Sequence, residues 1–148
     1  MSKITPFIWI ETGATLVVQH YQTIFGDSFK IIDETKMGEG ERAVEIITFS
    51  LFDVHFRIMS AMGAKQINES YSMQLDCENQ EEIDTYWESF LAAGGQEDMC
   101  GWLKDKFGIS WQIVPKNMGE LLSRPGVMRA MFRMKKLVIS DLENPASE

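Results

Sequence analysis

Polar side chains recur at alternate positions in three short segments that otherwise favour β-structure. The five residues are His55, Arg57, Ser72, Gln74 and Gln112. Residues i and i+2 of a strand face the same side of a sheet, so these side chains share one face if their apolar neighbours pack against helices. Polar groups are costly to bury without partners. The pattern therefore predicts a hydrated cavity or a bound small-molecule ligand that supplies hydrogen bonds.

Two of these residues could supply charge or move a proton. His55 is the plausible proton carrier of the set near neutral pH, although a histidine beside the Asp53 turn could also be an exposed surface residue. Arg57 could clamp a carboxylate or phosphate with its planar guanidinium, or form a structural ion pair with one of the many acids. Together with Gln112, Arg57 predicts a ligand that carries an anionic group or a carbonyl.

The four tryptophans are predicted to be mostly core residues, and Trp102 is the one that could instead contact a ligand. Trp102 lies in a predicted strand beside a hairpin, where its aromatic face could contact a ligand. Trp9, Trp87 and Trp111 are predicted to lie in the core. His20, on an apolar helix face, is likewise predicted to be a packed residue.

Composition excludes several classes of function. A net charge of −8 argues against a nucleic-acid partner, which requires a basic surface. No apolar stretch approaches the roughly 20 residues of a membrane-spanning helix, so we expect a cytoplasmic protein. Cys77 and Cys100 are predicted to be unpaired structural thiols, and Cys100 would be nucleophilic only if cationic neighbours lowered its pKa.

The elements that must position these residues follow from the spacing of apolar side chains. A β-branched and aromatic run predicts a first strand, and apolar residues at three- and four-residue spacing from Ala14, including Leu16, predict a helix that ends at Gly26. Three further strands follow, which gives a β-α-β-β-β order. The predicted strands of this half are Ile4–Ile10, Phe29–Asp33, Ala43–Leu51 and Val54–Met59.

The same order returns in the second half of the chain, after a polar connector over residues 61–70. Helix-ending glycines stand at positions 26 and 94, and a strand precedes each helix, which indicates a duplicated supersecondary unit. The predicted elements are strands Tyr71–Cys77, Asp98–Leu103 and Ile109–Val114, with a helix over Gln80–Ala93. We therefore expect a single α+β domain, with modules at residues 1–60 and 71–115 and a C-terminal helical segment at 116–148.

The C-terminal segment is predicted to be helical from Met118, broken at Pro125-Gly126, and helical again over Val127–Leu137. Methionines at positions 128, 131 and 134 form an apolar stripe beside a second face of cations. This helix could pack on the sheet or on a partner chain. Its basic face could instead touch a membrane or an acidic protein.

Three parts of the sequence resemble the PhnB-like proteins: the run Ile4–Trp9, the helix with His20-Tyr21, and above all Cys100–Pro115. These proteins are a branch of the vicinal-oxygen-chelate superfamily, which includes glyoxalases, bleomycin-resistance proteins and dioxygenases, and many are called demethylubiquinone methyltransferase-like. The resemblance implies paired βαβββ modules that form a cup-shaped mixed sheet around the site. It also implies a homodimer, for which the methionine stripe offers an adaptable apolar face.

Catalytic members of that superfamily place histidine, glutamine or glutamate metal ligands on the first and last strands of each module. The matching positions here are Pro6, then Phe56 or Arg57, then Ser70 or Ser72, and finally Gln112. These side chains do not supply the donors that divalent ions prefer, so we expect no bound metal and no other cofactor. S-adenosylmethionine is usually held by a glycine-rich turn between a parallel strand and a helix, whereas Gly38-Glu39-Gly40 lies between strands predicted to be antiparallel.

Three functional classes follow from these patterns. The first is a binding protein that holds a small organic ligand without a metal. The second is a metal-dependent lyase or dioxygenase of the glyoxalase superfamily, and the third is an accessory protein with no small-molecule role. The missing metal ligands favour the first class.

Overall fold

The computed structural model describes residues 2–11 and 13–147, so Met1, Thr12 and Glu148 lie outside the described residues. The chain divides into two units, at residues 1–67 and 68–148, and each unit contains one four-stranded mixed sheet. The predicted α+β class is confirmed, and each unit is described by itself.

In the first unit the strands follow the predicted β-α-β-β-β order. The elements are β1 (Phe7–Ile10), α1 (Ala14–Phe25), β2 (Phe29–Met37), β3 (Val44–Leu51) and β4 (Val54–Ser60). The sheet order is β1-β4-β3-β2, with β1 parallel to β4 and the other pairs antiparallel. Pro6 precedes the edge strand β1, where its missing N–H breaks no ladder bond.

Helix α1 covers one face of this sheet. Its buried side chains include Val17 and Tyr21, and the Tyr21 ring meets the Phe49 ring edge-on at 6.1 Å between centroids. Phe56 stacks on Phe49 at 5.4 Å, so it lies on the helix side of the sheet as predicted. Leu16 is 58% exposed, so its place on the predicted buried face of the helix is wrong.

Strand β2 is longer than predicted, because it continues from Asp33 to Met37. It lies at the edge of the sheet, and nearly all of its residues are exposed, so its second half shows no apolar alternation. The strand ends at Gly38, which has a φ of +73°. A side chain at that position would meet the Arg42 carbonyl oxygen at 2.7 Å, so Gly38 serves the antiparallel β2–β3 turn.

The second unit repeats the plan. Its elements are β5 (Ser72–Cys77), α2 (Gln80–Ala92), β6 (Gln96–Glu97), β7 (Trp102–Lys104) and β8 (Ser110–Pro115). The sheet order is β5-β8-β7-β6, with β5 parallel to β8. Helix α2 packs through Phe90 on Trp111, with ring centroids 5.0 Å apart.

The predicted strand Asp98–Leu103 is wrong in its first half. Cys100 and Gly101 both adopt positive φ, of 62° and 81°, which a strand cannot accommodate. The chain instead forms the two-residue strand β6 and resumes pairing at Trp102.

Three short helices follow the second sheet: α3 (Met118–Leu122), α4 (Val127–Met131) and α5 (Ile139–Glu143). The predicted helix over Val127–Leu137 therefore ends six residues early. After Met131 the chain continues through tighter bonds, from the Arg133 N–H to the Ala130 carbonyl and from the Met134 N–H to the Met131 carbonyl. The Met134 and Lys135 carbonyls then accept from the Cys100 and Gly101 N–H groups at 2.7 and 2.8 Å. Leu137 is fully buried in an apolar cluster with Leu121, Val127 and Leu142.

The long helices of the two units are too short to cross a bilayer. Helix α1 has 12 residues and helix α2 has 13, whereas a spanning helix needs about 20 apolar residues. Within residues 2–11 and 13–147, no helix is long and apolar enough to cross a membrane.

Candidate functional site

The face of the first sheet opposite α1, called here the first open face, carries two of the predicted site residues. Arg57 of β4 lies beside Phe7 of β1 on one side and beside Thr48 of β3 on the other. The alternating residues Ile8 and Ile58 are buried on the helix side, so Arg57 faces away from α1. His55 lies two residues earlier on β4 and shares this face.

Arg57 is oriented by one hydrogen bond and meets no acid. Its Nε donates to the Thr48 Oγ1 at 3.1 Å, which uses one of the five N–H donors of the guanidinium. No carboxylate of the described residues lies within ion-pair distance of Arg57. The sequence left open a structural ion pair for this residue, and the structure shows none there.

Two aromatic side chains of β1 share the first open face with Arg57, with Phe7 beside Arg57 and Trp9 beside Met59. Phe7 is 52% exposed and Trp9 is 42% exposed, so the prediction that Trp9 lies in the core is wrong. The Trp9 Nε1 donates to the Ala61 carbonyl oxygen at 2.9 Å, which fixes the indole while its ring stays accessible. The sequence analysis missed Phe7, although strict alternation around Ile8 would have placed Phe7 and Trp9 together.

The helix-free face of the second sheet, the second open face, carries the other predicted residues. Ser72, Gln74, Trp102 and Gln112 alternate with buried residues that face α2. The Gln112 Nε2 donates to the Ser72 Oγ at 2.9 Å, and the Gln74 Nε2 donates to the Asp76 Oδ1 at 2.8 Å. Trp102 is half-buried and is the cross-strand neighbour of Gln112.

Other polar groups of the second open face are also satisfied within the unit. The Lys104 Nζ lies 2.9 Å from the Glu69 Oε1. Val114, two residues after Gln112 on β8, joins the apolar cluster of the C-terminal segment. The six predicted residues therefore form two groups, with His55 and Arg57 on one sheet and the remaining four on the other.

A metal ion does not fit either group. The first unit offers Pro6 and Arg57 at the positions suggested by the resemblance, and the second unit offers Ser72 and Gln112, which already bond to each other. A cationic guanidinium repels a metal ion, and a serine hydroxyl is a weak neutral donor. Across residues 2–11 and 13–147, no three His, Cys, Asp or Glu side chains are grouped as metal ligands.

Neither cysteine has the environment of a reactive thiol. Burial, aided by the Glu82 and Asp76 charges, raises the pKa of Cys77 to about 12. Burial and the Asp98 carboxylate also raise the pKa of Cys100. A raised pKa keeps a thiol protonated near pH 7, so the condition that the sequence set for a nucleophilic Cys100 is not met.

Comparisons with known proteins agree with this architecture. The profile of the 3-demethylubiquinone-9 3-methyltransferase family matches residues 2–114. A PhnB protein of known structure from Bacillus cereus, whose name carries the same methyltransferase description, is 28% identical, with a TM-score of 0.67 over 76% of this chain and 99% of that one. No curated protein matches the sequence.

More distant structures share the fold alone. The fosfomycin resistance protein FosX from Listeria monocytogenes is 15% identical, with a TM-score of 0.65 over 83% of this chain and 98% of that one. FosX from Mesorhizobium loti is 11% identical, with a TM-score of 0.61 over 84% and 100% of the two chains. These likenesses confirm the glyoxalase/bleomycin-resistance fold that the resemblance implied. Since the family profile spans most of the sequence, the chain belongs to the PhnB-like 3-demethylubiquinone-9 3-methyltransferase family.

Proposed function

We propose that this protein binds a small organic molecule with an anionic or carbonyl group on its first open face, and that it does so without a metal ion. The observation that carries the proposal is Arg57, an exposed guanidinium held by Thr48 with no described carboxylate beside it. An oriented guanidinium binds carboxylate or phosphate oxygens through paired hydrogen bonds.

The aromatic neighbours of Arg57 favour a ligand with an apolar body. Phe7 and Trp9 are both about half exposed, and accessible aromatic side chains beside a few polar groups are typical of small-molecule sites. His55, on the same face, is a candidate hydrogen-bond partner for the ligand. An aromatic or unsaturated carboxylate would use both the charge and the ring surfaces.

Two catalytic alternatives have less support. Methyl transfer is named in the family description, but Gly38 and Gly40 belong to an antiparallel turn rather than to a nucleotide-binding loop. A FosX from Listeria monocytogenes has been crystallised with Mn(II), which makes a metal-dependent reaction the second candidate. The side chains at the corresponding positions here argue against it, because they lack imidazole and carboxylate donors.

Titration with benzoate, a simple aromatic carboxylate, tests the proposal. We expect saturable binding by calorimetry, and Arg57→Ala should weaken it at least tenfold. Arg42→Ala removes another exposed arginine of the same unit and should leave the affinity unchanged. Equal losses in the two variants would show that the interaction is only general charge attraction.

The absence of a metal requirement is tested on the same samples. Benzoate affinity should be the same before and after treatment with a chelator, and elemental analysis should find no stoichiometric divalent ion. A stoichiometric ion whose removal abolishes binding would favour the metal-dependent alternative.

We also propose that the protein is a homodimer in the cytoplasm. Support comes from the exposed edge strand β2, where Ile31, Ile32 and Met37 are unburied, since such edges pair readily with a second chain. Free cysteines suit a reducing compartment. Light scattering should give twice the chain mass, and Ile32→Lys should halve it, whereas Met62→Lys, at another exposed position, should not.

A further inference from the structure

Edge strand β2 contains one extra residue, which changes the facing of its second half. Ile31 pairs with Phe49, whose ring packs on α1. Two residues later Asp33 pairs with Thr48, so the register shifts between Ile31 and Asp33. Residues 31 and 33 of a regular strand would face the same side of the sheet. The bulge at Ile32 therefore turns Asp33 to the first open face, and bulges next to binding sites re-aim side chains in this way.

Contacts of the residues after the bulge support this facing. The Lys36 Nζ lies 3.4 Å from the Glu45 Oε1, and Glu45 accepts hydrogen bonds from Thr15 of α1. Lys36 thus lies on the α1 side of the sheet, and Glu34, two residues earlier, shares that side. Asp33 faces the opposite side. Of the residues that β1–β4 place on the first open face, all of them described, Asp33 is the only acid.

Asp33 and Arg57 carry opposite charges on either side of one threonine. Cross-strand pairing puts Asp33 of β2, Thr48 of β3 and Arg57 of β4 in a single row across the sheet. Thr48 is buried, and its Oγ1 accepts from the Arg57 Nε at 3.1 Å, whereas the two charged residues are exposed. Their backbones are two strand spacings apart, about 10 Å, and within the described residues Asp33 has no cation at ion-pair distance. The protein thus holds two opposite charges on one face without joining them.

The neighbouring row of the first open face is apolar. It consists of Ile46 of β3, Met59 of β4 and Trp9 of β1, which are cross-strand neighbours. Ile46 and Met59 are half-buried, and Trp9 is 42% exposed. A ring or short hydrocarbon chain that lies on this row can direct one charged group towards Arg57 and another towards Asp33.

From this arrangement we infer that Asp33 is a second recognition residue of the first open face, and that the ligand is a zwitterion with a carboxylate for Arg57 and an ammonium group for Asp33. The inference rests on the proposed function, because it concerns the same face, and it adds the cationic end of the ligand. A carboxylate accepts charge-assisted hydrogen bonds from an ammonium group. Since Asp33 is exposed and exposed ion pairs contribute little free energy, Asp33 selects between ligands more than it adds to affinity.

Two probes of nearly equal shape test the inference at pH 7. Para-(aminomethyl)benzoate carries a carboxylate and an ammonium group at opposite ends of one ring, whereas para-methylbenzoate carries the carboxylate alone. We expect calorimetry at low salt to show that the wild type binds the zwitterion about three- to fivefold more tightly, in line with exposed charge pairs. Raising the salt concentration should reduce this preference.

Three variants assign the preference to its residue. Asp33→Asn should abolish it and should bind para-methylbenzoate at least as tightly as the wild type, since it removes a negative charge near the bound carboxylate. Glu34→Gln is the matched control, because it removes an acid from the next position of β2, on the α1 side of the sheet, and it should keep the preference in full. Arg57→Ala should weaken both probes, since both carry the carboxylate. Circular dichroism should show that all variants are folded.

The outcomes separate this inference from the proposed function. Equal affinity of the wild type for the two probes would overturn the role of Asp33 and leave Arg57 as the anion site. A preference that persists in Asp33→Asn, or that Glu34→Gln reduces as much, would also overturn it, because the selectivity would then come from another group or from general charge attraction. If the wild type binds neither probe, both the inference and the proposed function are wrong.

Discussion

The two open faces carry similar kinds of residue but differ in how their polar groups are satisfied. On the first face, Arg57 has a single side-chain bond, to Thr48, and no described acid beside it. On the second face, Gln112 bonds to Ser72, Gln74 bonds to Asp76, and Lys104 pairs with Glu69. Polar residues on a sheet face therefore do not by themselves indicate a ligand site. The informative feature is a polar group whose partner is missing from the protein.

The hairpin turns of the two units also differ in how much they depend on side-chain hydrogen bonds. The β3–β4 turn depends on backbone conformation, since Phe52 and Asp53 both adopt positive φ. The β7–β8 turn depends on a buried side chain, because Asp105 is only 3% exposed and accepts from the Phe107 and Ile109 N–H groups and the Trp111 indole. Among the described residues, the β7–β8 turn thus has side-chain hydrogen bonds that are not seen at the β3–β4 turn.

The largest effect is expected at this turn. Asp105→Ala should lower the free energy of unfolding by about 3 kcal/mol, because it leaves buried N–H donors without acceptors. Urea denaturation followed by tryptophan fluorescence measures the change. Asp76→Ala, which removes an exposed acid bonded to Gln74, should cost below about 1 kcal/mol. Similar losses in both variants would contradict the special role of Asp105 in the β7–β8 turn.

The next effect concerns ligand affinity on the two open faces. Arg57→Ala should weaken benzoate binding by about ten- to one-hundredfold, which corresponds to the roughly 1.5–3 kcal/mol of a charged hydrogen bond. Gln112→Ala, on the second face, should change the affinity less than about threefold, because the Gln112 amide already bonds to Ser72. A larger loss at Gln112 than at Arg57 would reverse the assignment of the two faces.

A smaller effect is expected where the first unit does use a side-chain acceptor. Burial raises the pKa of Glu45, but hydrogen bonds from the Thr15 N–H and hydroxyl, Ser60 and Lys36 outweigh it and leave the pKa lowered. Glu45 thereby caps α1, whose N-cap residue Gly13 has no side chain to do so. Glu45→Gln should cost about 1 kcal/mol at pH 7.

The pH dependence of this contribution has a defined sign. Because the folded pKa of Glu45 is lowered from 4.5, its stabilisation is present above that value and is lost as the pH falls through the folded pKa. The difference between wild type and Glu45→Gln should therefore shrink below pH 4.5. Glu39→Gln removes an exposed acid and serves as the control. A difference that is constant from pH 7 to pH 3 would contradict the capping role.

The smallest effect is expected at Ser110. This residue is an exception in the second unit, where the other polar side chains described above are hydrogen-bonded. Its hydroxyl is buried, with the residue 1% exposed, and has no hydrogen-bond partner among the described residues. Ser110→Ala should leave the protein equally stable or stabilise it by up to about 1 kcal/mol. Ser72→Ala, which removes the partner of Gln112, should instead destabilise it. A clear loss of stability on Ser110→Ala would show that the hydroxyl has a partner in solution.

Much of the fold was predictable, because its signals are local. Apolar spacing and a terminal glycine predicted α1 over its observed bounds, and they predicted α2 to within one residue. Strands β3, β4 and β8 were predicted to within one residue at either end for the same reason. The predicted bounds of β2 ended too early, at Asp33 and not at Met37. An exposed edge strand buries few residues, so its sequence shows no apolar alternation.

The candidate site was less accessible to prediction. Alternation along β4 was enough to put His55 and Arg57 on the face opposite Phe56 and Ile58, because strand geometry depends only on neighbouring residues. Nothing local indicates that Trp9 is exposed or that Arg57 lacks an acid. Both facts depend on which strands lie beside β1 and β4 in the folded sheet.

The amino-acid order alone was sufficient for the class of fold, the duplicated plan and the face of each site residue on its own strand, since all three follow from periodicity over a few residues. The end of α4 at Met131, the pairing of Gln112 with Ser72 and the isolation of Arg57 required the folded chain. In each case the outcome depends on which segments the folded chain brings together. The chain after α4 bonds to Cys100 and Gly101, and a polar residue is structural or available for binding according to what lies opposite it.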